Sequence, residues 1–200
     1  MSEPRAHIVD DDEAIRDALG WLFQSRGVAT ASWPSAEAFL SDYDDGMRGC
    51  LVLDVRMAEM SGLELFDRLL ALGCAMPVIF LTGHGDVPLA VAAVKRGAFD
   101  FIEKPFNDND LANRVIEALA IDAAALQARA TQASLASRLA TLTVREREVM
   151  ELILGGKLNK VIADQLNIAI RTVEVHRARI FEKMGVRSVV ELAGLLSSSR

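Results

Sequence analysis

The first 105 residues alternate between two hydrophobic patterns. Short apolar runs recur at 6–9 (AHIV), 28–33 (VATASW), 50–55 (CLVLDV), 77–82 (PVIFLT) and 99–103 (FDFIE). Between them lie helix-length amphipathic stretches at 12–26, 35–44, 62–72 and 86–96. Gly27, Gly73 and Gly97 fall where those helices should stop, because glycine tolerates the left-handed conformation that closes a helix. Strand and helix in alternation predict a parallel sheet covered on both faces. CLVLDV is apolar without alternation, as a strand buried on both faces should be. Pro77 opens its run, where a missing N–H does least harm.

The pattern changes after Asp108. Residues 121–140 contain no glycine or proline and eight alanines, which predicts one long helix leaving the first domain as a stiff linker. The last 60 residues lack strand-like alternation. Thr143 followed by Glu146 is a capping box, and Gly155-Gly156 ends that helix. Asn159–Leu166 and Ile170–Met184 predict two more helices, the second ended by Gly185, and Ser188 with Glu191 caps a fourth. Within the third, Val173, Ile180 and Met184 recur at helical spacing and belong to a small core. The expected organisation is a domain over 1–120, a helical linker over 121–140 and an all-α domain over 141–200.

Composition narrows the class. A chain of 200 residues, 51% hydrophobic and 25% charged, has enough apolar material for a real core and is not a disordered tail. It has no run of 18 apolar residues, and its acidic start lacks the apolar stretch of a signal peptide, so a cytoplasmic protein without a membrane partner is expected. Cys50 and Cys74 form neither a disulfide framework nor a metal-ligand spacing, and His7 and His84 have no second ligand at metal spacing. The net charge of −6 conceals an asymmetry. Residues 1–137 carry 11 basic and 21 acidic side chains, residues 138–200 carry 11 basic and 7 acidic. A basic end suits phosphate backbones, which the acidic front repels.

In an open α/β sheet, ligands bind beyond the carboxyl ends of the strands. Asp10, Asp11 and Asp12 follow the first apolar run, Asp54 ends the third, Thr82 closes the fourth, and Lys104-Pro105 follows the fifth. One cleft would collect them all. Clustered carboxylates repel one another without a cation, and such oxygen ligands suit Mg²⁺. Asp54, ending an apolar run, is a candidate nucleophile for an aspartyl-phosphate. Lys104 and the Thr82 hydroxyl would neutralise and bind phosphoryl oxygens. Singly, Asp11, Asp12 and Glu13 also read as first-turn acids favoured by the helix dipole.

VDDDE (9–13), LDVRM (53–57), LTGHGD (81–86) and FIEKPF (101–106) resemble, in order and spacing, the receiver domain of two-component response regulators. That resemblance implies a flavodoxin-like, doubly wound, five-stranded parallel sheet. It also implies Asp54 as phospho-acceptor, and Asp10, Asp11, Asp54 and the backbone carbonyl of Arg56 as the Mg²⁺ (or Mn²⁺) pocket. Asp12 would stand behind the ligands. Thr82 and Phe101 would form a switch pair, and Lys104–Pro105 would be cis. Ala58 stands where the family usually has proline, which is expected to loosen the loop beside Asp54, with Glu59 adding negative charge there.

Residues 142–196, with RERE, Gly-Gly, NK-x-IA, RTVE-x-H and KM-x-x-x-S, resemble the LuxR-type helix-turn-helix. The two halves together are similar to regulators of the FixJ/NarL type. The resemblance implies that the helix from about Arg171 enters the DNA major groove. Glu174 would then accept from a cytosine amino group and Val175 would touch a thymine methyl. Lys160, Thr172, His176 and Arg177 would hold phosphates, with Arg171 and Arg179 on the same exposed faces. Ala169 replaces the usual serine N-cap, which predicts a frayed helix start.

The expected protein is a phosphorylation-activated transcription factor and not an enzyme. Its implied partners are a sensor histidine kinase, double-stranded DNA, RNA polymerase and, on phosphorylation, a second copy joined through helix 86–96 and strand 99–102. A haloacid-dehalogenase-type phosphohydrolase would want a second acid two residues after Asp54, where Arg56 stands. A nucleotide-binding enzyme would want a glycine-rich turn where the chain has three aspartates.

Overall fold

The computed structural model describes residues 3–83 and 87–197. Contacts divide the chain into two compact units, 1–126 and 127–200. In the first, strands β1 (Arg5–Val9), β2 (Thr30–Trp33), β3 (Gly49–Asp54), β4 (Val78–Thr82) and β5 (Asp100–Glu103) alternate with helices. These are α1 (Glu13–Ser25), α2 (Ala36–Asp42), α3 (Gly62–Ala71), α4 (Val87–Lys95) and α5 (Asp108–Ala140). All strands pair in parallel in the order β2-β1-β3-β4-β5, which places the topological switch between β1 and β3.

Strand periodicity sorts the core into two layers. Leu51 and Leu53 of β3 pack with Phe39, Leu65, Phe66 and Leu69 on one face. Cys50 and Val52 point the other way, toward Leu19, Phe23, Leu111 and Val115. Every residue of β3 is buried, as its unbroken apolar run predicts. The second strand starts at Thr30 and not at Val28, because Val28 is spent on ending α1: its N–H donates to Phe23 O at 3.0 Å, beyond Gly27 at φ 74°.

At the foot of the sheet, Asp122 of α5 accepts from Arg48 Nε at 3.0 Å, Arg48 Nη2 at 2.8 Å and Gly49 N at 3.1 Å. His7, buried in β1, meets Arg48 O through Nε2 at 3.0 Å, and burial holds its pKa below the ordinary value. Cys50 and Cys74 are free thiols. His84 and Asp86 lie outside the described residues, and no described helix is long and apolar enough to cross a membrane.

Helix α5 is continuous through 33 residues, as the alanine-rich stretch predicts. The second unit holds its end together with α6 (Val144–Leu154), α7 (Asn159–Leu166), α8 (Ile170–Met184) and α9 (Val189–Ser197). Val173, Ile180 and Met184 are fully buried with Val149, Ile153, Ile162 and Leu192. The Thr143–Glu146 capping box forms in both directions. Ser188 Oγ accepts from Glu191 N at 3.1 Å, while Glu191 reaches back to Arg187 N and not to Ser188. Ala169 occupies the N-cap of α8 with no side-chain hydrogen bond.

Candidate functional site

The acidic cleft lies at the carboxyl ends of β1, β3 and β4. Asp10, Asp54 and Thr82 are buried, at 2%, 8% and 1% exposure. Lys104, just beyond β5, reaches over the sheet edge and bridges two of them. Its Nζ donates to Asp10 Oδ2 at 2.9 Å and to Asp54 Oδ1 at 2.7 Å. The other oxygens are taken by backbone: Arg56 N donates to Asp54 Oδ2 at 2.8 Å, and Asp12 N to Asp10 Oδ1 at 2.9 Å. Thr82 is tied to Lys104 through the main chain (Lys104 N to Thr82 O, 2.6 Å), and its hydroxyl donates to Gly83 O at 3.2 Å. The Lys104–Pro105 bond is cis.

Asp54 is positioned from both sides. After its strand the chain makes a short loop and returns as α3, where Gly62 N donates to Val55 O at 3.1 Å. A Cβ at position 62 would stand 2.1 Å from the main-chain oxygen of Asp54, so no side chain fits there. Ser61 caps α3 in a full capping box with Glu64. This S-x-x-E signature was readable in the sequence and was missed there.

Two charges compete for one ammonium. Burial raises the pKa of Asp54 above the ordinary value, with the negative neighbour Asp10 adding to it, and Lys104 only partly offsets this. Burial also works against the charged form of Lys104, but its hydrogen bonds to Asp54 and Asp10 prevail and raise its pKa. The pair is thus one positive charge short of neutral. Asp11 is exposed at the rim. Asp12 is the N-cap of α1, its carboxylate accepting from Ala14 N at 2.9 Å, so its helix-start role is the one seen. Phe101 is half-buried and packs on the α2–α3 side of the core.

Among the described residues no three acidic, histidine or cysteine side chains are grouped closely enough to hold a metal ion as they stand. The donor chemistry nonetheless fits Mg²⁺. Asp10 and Asp54 turn one oxygen each onto a single point that a cation, the Lys104 ammonium, already fills, and oxygen donors are what Mg²⁺ requires.

In the second unit α8 presents Arg171, Thr172, Glu174, Val175 and Arg179 to the exterior, and Lys160 is exposed on α7. Arg171 pairs with Glu174 at 3.3 Å. Arg177 is half-buried with its guanidinium 5.5 Å from the Phe181 ring centroid, and His176 is half-buried with Nδ1 unpartnered. The sequence reading of α8 did not include the Arg177–Phe181 contact. The aromatic four residues after Arg177 was the available signal.

A buried acidic cleft bridged by a lysine on a doubly wound sheet, followed by a helical unit with an exposed basic helix, points to a class: a signal-receiving domain joined to a DNA-binding one. The family description "Response regulator receiver domain" matches residues 6–116, and "Bacterial regulatory proteins, luxR family" matches 140–196. The C4-dicarboxylate transport transcriptional regulatory protein DctR of Rhodobacter capsulatus is 52% identical over 94% of this chain and 96% of its own length. The transcriptional regulatory protein FixJ of Azorhizobium caulinodans is 46% identical over 93% and 88%. The solved structure of the response regulator StyR superposes with a TM-score of 0.91 at 40% identity, covering 98% of this chain and 99% of that one. The chain therefore belongs to the two-component response regulators that join a receiver domain to a LuxR-type helix-turn-helix. It is a DNA-binding transcriptional regulator and not an enzyme, and its class works with a sensor kinase. Receiver domains generally bind Mg²⁺ for phosphorylation.

Proposed function

We propose that Asp54 accepts a phosphoryl group from a sensor histidine kinase, and that this drives dimerisation and DNA binding. The observation that carries the reading is the Lys104 ammonium shared between buried Asp10 and Asp54 at three strand ends. A carboxylate oxygen of Asp54 attacks phosphorus, the bond to the histidine nitrogen breaks, and its electron pair stays on the imidazole. An acyl phosphate on Asp54 results. Lys104 moves its charge from the carboxylates to a phosphoryl oxygen, and the Thr82 hydroxyl donates to another. Asp10, Asp11, Asp54 and the Arg56 carbonyl would hold Mg²⁺ (or Mn²⁺), which supplies further positive charge against the phosphoryl oxygens. Withdrawal of Thr82 toward the phosphoryl group lets Phe101 turn inward and alters the α4–β5 face.

The domains in this reading are the receiver over 1–120, the helical linker over 121–140 and the DNA-binding domain over 141–200. The protein acts in the cytoplasm, without a membrane partner. The α4–β5 face pairs two copies, so that two α8 helices read half-sites about 34 Å apart. Glu174 and Val175 address bases and Lys160, Thr172, His176 and Arg177 address phosphates, with Arg171 and Arg179 also on the DNA-binding surface. RNA polymerase is the downstream partner.

The test is intact-protein mass after incubation with a small-molecule phosphodonor, with and without Mg²⁺. A single phosphoryl adduct that needs Mg²⁺ and vanishes in Asp54→Asn is expected. An adduct that survives in Asp54→Asn would place the acceptor elsewhere.

A further inference from the structure

The carboxylates of the cleft have visible partners, but the peptide group that joins Asp10 to Asp11 is held by a residue outside the motif. Arg16 Nη1 donates to the main-chain oxygen of Asp10 at 2.9 Å. Arg16 is half-buried, and its own N–H bonds Asp12 O at 3.1 Å, so it sits within the first ordered turns of α1. Its position is electrostatically unfavourable for a cation, since the N-terminal end of a helix carries partial positive charge. A long cationic side chain that turns back over this end needs a compensating partner, and the Asp10 carbonyl among three aspartates provides one.

We infer that Arg16 is a positioning residue for the cation site of the receiver: by fixing the Asp10 carbonyl it fixes the plane from which the Asp10 and Asp11 side chains diverge. The peptide unit is rigid, so holding its oxygen sets the direction of the Asp11 N–Cα bond as well. Asp10 is further tied by Lys104 and Asp12 N, whereas Asp11 is exposed, so its direction depends most on this clamp. The inference rests on the Mg²⁺ reading of the cleft given above.

Position and charge make opposite predictions. As a mere charge, Arg16 repels a divalent cation, and its removal should tighten Mg²⁺ binding. As a clamp, its removal should loosen binding, because supports behind metal ligands typically contribute 10–100-fold to affinity. Mg²⁺ is titrated calorimetrically into the full chain for wild type, Arg16→Ala and Arg16→Lys. We expect Arg16→Ala to weaken Mg²⁺ about 10-fold. Lysine, which keeps the charge but loses the planar fork, should restore only part of this. With a small-molecule phosphodonor, Arg16→Ala should raise the Mg²⁺ needed for half-maximal phosphorylation more than it lowers the rate at saturating Mg²⁺. Wild-type or tighter Mg²⁺ affinity in Arg16→Ala overturns the inference. If the alanine variant does not fold, Arg16→Lys decides alone: about 3-fold weaker binding supports the clamp, and wild-type affinity overturns it. A wild-type chain that binds no Mg²⁺ overturns the cation reading itself, and the inference with it.

Discussion

Each unit of the molecule contains a lysine clamped on buried carboxylate, and the two contacts have opposite electrostatic outcomes. In the receiver, Lys104 is shared by Asp10 and Asp54 at 2.9 and 2.7 Å, and burial leaves Asp54 above its ordinary pKa. In the C-terminal unit, Lys183 Nζ serves one carboxylate, Glu146, at 2.6 Å, and adds a bond to Thr141 O at 3.0 Å. The Glu146 carboxylate, which also accepts from Thr143 N at 2.8 Å, is pushed down to about 2, first by Lys183 and then by that N–H. The distances are alike; the stoichiometry differs. One lysine for one carboxylate makes a closed structural pair, while one lysine for two leaves a negative excess that favours further positive charge. In this molecule the charge balance, and not the distance, separates the two short ion pairs.

Exchanging the two lysines for methionine would separate these roles most strongly. Lys104→Met should slow phosphorylation by about 10²-fold, the usual cost of removing one group that stabilises transferring charge. Lys183→Met should leave the phosphorylation rate unchanged and destabilise the C-terminal unit by about 2 kcal/mol, as loss of a charged hydrogen bond does. Equal effects of both on phosphorylation rate, read by intact mass against time, would remove the distinction.

Acid titration sharpens the same contrast. Glu146 has a folded pKa near 2 against an ordinary 4.5, so the folded state binds fewer protons. Its stabilising contribution is complete above about pH 4.5 and is lost as the pH falls through 2. Asp54, raised above 3.8, has the opposite sign and loses no stability on acidification. Calorimetric melting of wild type and Glu146→Gln should show a wide gap in melting temperature at pH 6 that narrows toward pH 2.5. A gap independent of pH would mean that packing, and not charge, sets the stability of that pair.

The smallest effect concerns the helix that begins without a side-chain cap. Ala169 lies in extended backbone at φ −68°, ψ 146°, suited to a capping serine. Ala169→Ser should add about 0.5–2 kcal/mol, seen as a melting temperature a few degrees higher. An unchanged or lower value would show that the first turn of α8 is already satisfied by other means.

The parts of this comparison were unequally legible in the sequence. The strands, their order of chemistry and the Asp10, Asp54, Thr82 and Lys104 constellation follow from apolar runs with a polar residue at each end. Those signals are local and periodic. The Thr143–Glu146 box was equally local. What periodicity does not carry is how far a long side chain reaches back. Arg16 returns to Asp10 across six positions, Lys183 meets Glu146 across 37, and Arg48 meets Asp122 across 74. Each of these reads in sequence as a solvated charge. The Arg177–Phe181 contact, one helical turn long, went unread because attention to charge passed over the aromatic ring.

The loop after β3 closes on itself. Val55 and Gly62 are joined main chain to main chain, and the Ser61 box locks the exit, so residues 56–61 form a small ring with both ends tied. In polymer terms a ring this short departs strongly from the behaviour of long flexible loops, so the stiffness of each link inside it counts. Alanine at position 58 leaves φ free where a proline would lock it, so the ring samples more of its interior while its ends stay tied at Val55, Ser61 and Gly62. The missing Cβ at residue 62 is the feature that permits the knot to be tied so close to the reactive carboxylate.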